Sequence, residues 1–389
     1  INNLNNMNQF QDRETATDTI YFQWAPASHS KSWGIKNYYI QISDDQNFAA
    51  VTISDTMIGT DAQGCTTWYQ ISKDSGALLS RGRTYYARIR AGDTASPQNW
   101  SSYSAASDGI YFSMKTVNGD SADWSPTLGV AANTETYIPG SYREAAWRDT
   151  PFDQRTDVAS VQAAMDLDQF RISSDTYNLY IYAKFFTWND GAHYIQVAVD
   201  VDNNSTSRAF TGRGVLAEDV YVSSQVAKEY LIRARTGNDD VTVVDGNFVT
   251  TGVGRYRDNS ADSSVELCIP LEYIGGTGQY MNDTVNFTVV ISWNNGGGIG
   301  QWAANNAHVA EAVTDKSITW TEVSDQVVDM WLAVGFDSTA RVSAVVKETA
   351  ALTSPPTNPN PGTSYYGSMR DYIVYNVFVD RFWNGYSSN

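Results

Sequence analysis

The feature that most limits what this chain can fold into is a two-residue alternation that keeps returning. In Tyr38–Ser43, Tyr38, Ile40 and Ile42 fall on one side, with Tyr39 and Gln41 on the other. Thr84–Ala91 repeats the pattern, with Tyr85, Ala87 and Ile89 set against Tyr86, Arg88 and Arg90. Only an extended strand turns a period of two into one apolar face. Thr19–Trp24 and Ile110–Met114 read as further strands, and Gly, Asp, Asn and Ser punctuate the gaps. About seven short strands over residues 12–117 predict a β-sandwich.

A second, larger strand-rich region is expected over residues 122–348. Leu179, Ile181, Ala183 and Phe185 alternate with Tyr180, Tyr182 and Lys184, and Ile195, Val197 and Val199 alternate with Gln196 and Ala198. Ser264–Ile269 and Asn286–Trp293 predict strands, and Val327–Phe336 predicts one last long strand. Only Asp219–Ala234 carries a weak helical period. Residues 1–11 form a polar leader, and residues 349–370 a Pro-rich interdomain linker. The dense apolar run Tyr372–Val379 then predicts a strand buried on both faces. Such a strand needs covering elements, so it reads as the opening of a further, incomplete domain. The fold class expected is all-β: two tandem β-sandwich domains, then a linker and a first strand.

Composition narrows the function. A net charge of −17 argues against nucleic acid, which needs basic clusters, and against an anionic membrane surface. It fits an extracellular protein that binds cations. No apolar stretch reaches the length of a membrane span. The two cysteines, Cys65 and Cys268, fall in different domains, so neither a disulfide nor a zinc site is expected. The chain begins with Ile rather than Met, the expectation for a processed or trimmed form. His29, His193 and His308 are scattered without metal or nucleophile spacing, and Gly252-Val253-Gly254 is no phosphate loop.

Two kinds of site are candidates. Calcium takes six to eight oxygens, and the clusters Asp149/Asp153/Asp157 and Asp200/Asp202/Asn203 offer carboxylate and amide oxygens at loop spacing. Sugars stack their C–H faces on indoles, and Trp188, Trp293 and Trp302 fall at strand ends or beside the loop Asn294–Gly298. Trp147, Trp320 and Trp331 are expected in the core. Exposed Trp33 or Trp68 is a further, weaker sugar platform.

Three resemblances add to this reading. Tyr372–Val379 followed by Asp380-Arg381-Phe382-Trp383-Asn384-Gly385 resembles the opening strand and turn of the catalytic barrel in the α-amylase family, glycoside hydrolase family 13. In that family the turn supplies calcium ligands, which implies Asn384 and Asn389 here, although Tyr386 replaces an expected Asn or Asp. The family's cleaving acids lie on later barrel strands, so the resemblance implies a non-catalytic front part, partnered by the barrel of the same polypeptide. Trp24 and the run Leu79–Ala91, followed by Trp100-Ser101, resemble a fibronectin type III domain. Trp147-Arg148-Asp149 with Asp153–Asp157, Gln196–Asp202 and Val265–Leu271 resemble family 9 carbohydrate-binding modules and their relatives attached to glucodextranases and cell-surface amylases. Together these imply a secreted or cell-surface α-amylase or pullulanase type of enzyme, whose front binds α-glucan and presents it. The competing expectation is a spacer that positions the hydrolase away from the cell surface.

Overall fold

A computed structural model describes residues 4–6, 19–27, 34–58, 68–72, 79–126, 128, 134–140, 142–149, 151, 166–188, 193–202, 212–213, 220–222, 229–237, 241–247, 249–275, 284–294, 307–312, 326–328, 331–336 and 341–348. The chain divides into two compact units, Ile1–Asn118 and Gly119–Asn389. Among the described residues the regular structure is strand, apart from one 3-10 turn at Leu271–Ile274. No helix among the described residues is long and apolar enough to cross a membrane.

The first unit holds β1 (Leu4–Asn6), β2 (Thr19–Trp24), β3 (Ile35–Ser43), β4 (Ile53–Ile58), β5 (Trp68–Ser72), β6 (Arg83–Asp93) and β7 (Ile110–Phe112). They form two sheets, β1-β2-β5 and β4-β3-β6-β7. The alternation legible in the sequence is the alternation of burial: Tyr38, Ile40, Ile42, Tyr85, Ala87 and Ile89 meet Ile20, Phe22 and Trp24 in one core. Trp24 sets its ring edge-on to Tyr38, 5.4 Å between centroids. The Tyr85 hydroxyl accepts from the Ser80 amide at 2.7 Å and donates to the Ser80 carbonyl at 3.1 Å. That pair of bonds ties the loop before β6 to the strand it enters.

Beyond Tyr85, β7 no longer covers the edge of β6. Bare strand edges invite foreign pairing. Three serines take the place of a strand there. The amides of Ser101, Ser104 and Ser107 donate to the carbonyls of Ala91, Ile89 and Ala87 at 2.8, 2.7 and 2.8 Å. Their hydroxyls accept from the amides of the same three residues at 3.0, 3.1 and 3.0 Å. Each serine thus satisfies both backbone groups of its partner.

The second unit runs through β8 (Thr134–Ile138), β9 (Glu144–Arg148), β10 (Leu167–Ser174), β11 (Asn178–Phe185), β12 (His193–Asp200), β13 (Gly212–Arg213), β14 (Val220–Val222), β15 (Tyr230–Arg235), β16 (Val241–Asp245), β17 (Thr250–Asn259), β18 (Ser264–Pro270), β19 (Thr284–Asn294), β20 (Ala307–Ala312), β21 (Gln326–Val328), β22 (Trp331–Phe336) and β23 (Val342–Glu348). The long sheet has the order β23-β22-β19-β12-β15-β16-β17-β18-β11-β10-β9-β8, with β20 also on β19. Its end strand β23 lies against β8 and β9, so the series folds back on itself. It encloses one core, which includes Trp147, Phe170, Ile181, Phe185, Val197, Ile232, Leu267 and Phe287.

The segment Gly119–Ser125 is held onto this unit by buried polar groups. Glu266 accepts from the Gly119 amide at 2.8 Å and from the Trp124 indole. Arg171 donates to the Ser125 carbonyl at 2.7 Å and to Glu144 at 3.2 Å, and Glu144 accepts the Ser125 amide at 3.0 Å.

Two sequence expectations are corrected. Within Asp219–Ala234 the described residues form strands β14 and β15, not a helix. Leu231, Ile232 and Ala234 are fully enclosed between β12 and β16, and that burial overrides a weak helical period. Val327–Phe336 is not one strand. Its first part, in β21, pairs parallel with β14, while β22 pairs with β19 and β23, so two different sheets claim the two ends. Among the described residues the last strand is β23. The linker 349–370 and the expected barrel strand 371–389 lie outside the described residues.

Candidate metal centre

Strand β12 carries the one cluster of acidic side chains that could hold an ion among the described residues. Its odd-numbered residues Ile195, Val197 and Val199 are spent on the core. The other register ends in Asp200, which is only 4% exposed. The Asn286 amide of β19, its register partner, donates to Asp200 Oδ2 at 2.9 Å. The chain then turns past Val201 to exposed Asp202.

Glu229 enters from the next strand. Its amide donates to the Val199 carbonyl at 3.0 Å, extending the β12–β15 ladder by one rung. Its carboxylate Oε2 accepts the Val201 amide at 3.0 Å. One oxygen from each of Asp200, Asp202 and Glu229 lies within 4.8 Å of the others. Three carboxylates so close repel one another, and a cation between them removes that penalty. The donor set is all oxygen, with Asp200 and Glu229 each oriented by a bond to one oxygen. That chemistry suits a hard cation, calcium or magnesium, rather than zinc or copper.

Asp200 and Asp202 are two of the sequence candidates; Asn203 lies outside the described residues. Glu229 was missed. It joins the other two only through the pairing of β12 with β15, and no local spacing announces that.

Of the other acidic cluster, Asp149 is fully buried at the end of β9, its amide on the Asp168 carbonyl at 3.0 Å and its Oδ1 3.4 Å from the Trp147 indole nitrogen. Trp147 is fully buried beside it. Asp153 and Asp157 lie outside the described residues, as do Asn384 and Asn389, Cys65 and Trp302. Cys268 is fully buried in β18.

Trp188 follows β11, half-buried, packed on the core and edge-on to Phe185 at 6.5 Å. Trp293 is the β19 position paired in register with His193 of β12 and His308 of β20. It falls in the odd-numbered register of β19, whose members Phe287, Val289 and Ile291 build the core. Trp293 therefore marks the starting end of β12, and the acidic cluster its finishing end. The strand His193–Asp200 separates them by about 23 Å at ~3.3 Å per residue.

No family model matches the chain, and no curated protein does. Among solved structures it is similar to an α-L-rhamnosidase from Dictyoglumus thermophilum (9% identity, TM-score 0.23, 79% of this chain and 28% of that one). It is similar also to those from Streptomyces avermitilis (10%, 0.23, 92% and 28%) and Aspergillus terreus (9%, 0.22, 90% and 34%). The chain spans about a third or less of the length of these structures.

Proposed function

We propose that this chain is the non-catalytic, α-glucan-binding front of an extracellular glycoside hydrolase of the α-amylase type, with a structural calcium ion in its second unit. The observation that carries the reading is the run Tyr372–Val379 leading into Asp380-Arg381-Phe382, a barrel-opening pattern set behind a Pro-rich linker and two strand-built units. A tethered binding module raises the effective concentration of its enzyme at a polymer, so even weak affinity serves. Glycoside hydrolysis needs two carboxylates flanking the scissile bond. The Asp200–Asp202–Glu229 cluster is better explained as an ion site, because two of its members are tied to backbone or amide donors at a strand end.

Asp200, Asp202 and Glu229 would hold the ion. Bound there, calcium would fix the turn after β12 to the start of β15. The α-glucan platform is assigned to Trp188, which follows β11, and to Trp293, in register with the start of β12; Trp302 is the third candidate from the sequence.

Native affinity electrophoresis in starch or pullulan gels tests the binding. Retardation of the parent chain and its loss in Trp188→Ala or Trp293→Ala are expected. A parent chain that runs unretarded leaves the spacer reading in its place.

A further inference from the structure

The outer face of the first unit carries two arginines, two residues apart on β6, in contrasting surroundings. Arg88 stands in register with Gln41 of β3 and donates to its Oε1 through Nε at 2.8 Å and Nη2 at 2.7 Å. Its guanidinium lies between the rings of Phe48 and Tyr103, 4.4 Å from each centroid. Arg90 stands in register with Tyr39, a ring where Arg88 has an amide. It lies over Tyr39 at 4.8 Å, Trp100 at 4.7 Å and Tyr103 at 5.1 Å. Among the described residues no hydrogen bond or ion pair reaches Arg90, and its Nε is enclosed without an acceptor.

The nearest acid along the strand does not serve it. Asp93 is engaged by the amides of Ala95 and Asn99 and by the Asn99 side chain, at 3.0, 2.9 and 2.9 Å. Rings compensate a guanidinium over its faces. They leave its in-plane donors unused, and an enclosed donor without an acceptor is a penalty that calls for an explanation. In a chain of net charge −17 a cation without a carboxylate partner among the described residues is doubly unexpected.

We propose that Arg90, framed by Tyr39, Trp100 and Tyr103, is a binding site for a carboxylate-bearing sugar, a uronate unit of an acidic polysaccharide. A planar guanidinium matches a carboxylate through paired donors, and its fixed framing by three rings removes the ordering penalty of a free side chain. The half-buried rings offer C–H contacts to a pyranose beside the carboxylate. Arg88 shares the Tyr103 ring but spends Nε and Nη2 on Gln41, so Arg90 alone has paired donors to offer, which suits a planar carboxylate rather than a tetrahedral dianion. The site is in the first unit and stands apart from the α-glucan reading, which concerns the second.

Calorimetric titration of the full chain with a galacturonate oligomer tests the proposal. Millimolar binding is expected, weakened by added salt and reduced about tenfold or more in Arg90→Gln. Arg90→Lys, which keeps the charge but not the paired donors, should bind between the two, and thermal melts establish that both variants are folded. The methyl-esterified oligomer, maltotriose and acetate should each bind far more weakly. No heat with the parent, equal affinity in folded Arg90→Gln, equal affinity for the ester, or acetate binding as tightly as the oligomer would each overturn the assignment.

Discussion

The two units hold covered cations by opposite means. In the second, Arg171 is 4% exposed and is matched by Glu144, the Ser125 carbonyl and Gln169. In the first, Arg88 and Arg90 are held mainly by ring faces. A buried ion pair depends on both partners, and losing one leaves a bare charge. A cation among several rings depends on none singly, and at Arg90 the in-plane donors stay available. The second arrangement therefore suits a surface that receives a ligand, the first a strap that must stay closed.

The sharpest break of this comparison is Glu144→Ala. It strips Arg171 of its counter-charge and the Ser125 amide of its acceptor, and should destabilise the second unit by about 3–5 kcal/mol in chemical denaturation. The transition of the first unit should not move. A loss below ~1 kcal/mol would erase the contrast.

Removing calcium should come next. A chelator should lower the melting midpoint of the second unit only, and calcium at a hundredfold excess over its Kd should add about 2.7 kcal/mol. Asp200→Asn should abolish the response. A midpoint indifferent to both additions breaks the assignment of the ion to this cluster.

High pH separates the units through their tyrosines. Burial raises Tyr85 in the first unit, against the opposing bond from Ser80. In the second, burial and then the Asp262 charge raise Tyr182 well above its ordinary value, and burial raises Tyr194. A phenol whose folded value is raised contributes stability that is whole below pH ~10 and is lost as pH climbs through the folded value. Melts across that range should show the steeper loss in the second unit, and Tyr182→Phe should flatten it. Burial also lowers Arg233 to about 10, so its charged form is disfavoured in the folded state below that value. This penalty is relieved as pH rises from about 10 towards the ordinary arginine range, opposing the tyrosine trend, and Arg233→Met should remove the opposition.

Arg90→Met should have the smallest effect, a change within about 1 kcal/mol in the first unit, because the rings keep an apolar chain to pack on. A loss matching that of Glu144→Ala would make the ring-held cation a structural pillar after all.

What the sequence disclosed follows from where burial is one-sided. Strands β2, β3 and β6 sit close to their expected bounds, because each alternates buried apolar residues with less covered ones along a pleated face; β11 does so although both its faces are buried, because Tyr180, Tyr182 and Lys184 mark the second face in the sequence. The alternation failed at Leu231–Ala234, where both faces of β15 are covered and even Arg233 is 9% exposed, so no period survives to be read. It failed again at β21 and β22, since nothing local says that neighbouring residues will join different sheets. The acidic cluster was half legible: Asp200 and Asp202 are neighbours in sequence, whereas Glu229 arrives by strand pairing. Arg90 looked like any polar residue on the outward register of β6. Its peculiarity depends on Trp100 and Tyr103, which the serine-held segment brings across from beyond the strand.

That segment makes length, rather than chemistry, the inherited quantity between Ser101 and Ser107. Its hooks recur every third residue and engage every second residue of β6. Changing Ser102, Ala105 or Ala106 leaves each hook opposite its partner. Deleting any one of them moves at least one hook out of phase with its partner, and the ring of Tyr103 can be carried off Arg88 and Arg90 with it. Among related chains positions 102, 105 and 106 should accumulate substitutions freely, and the stretch gaps almost never.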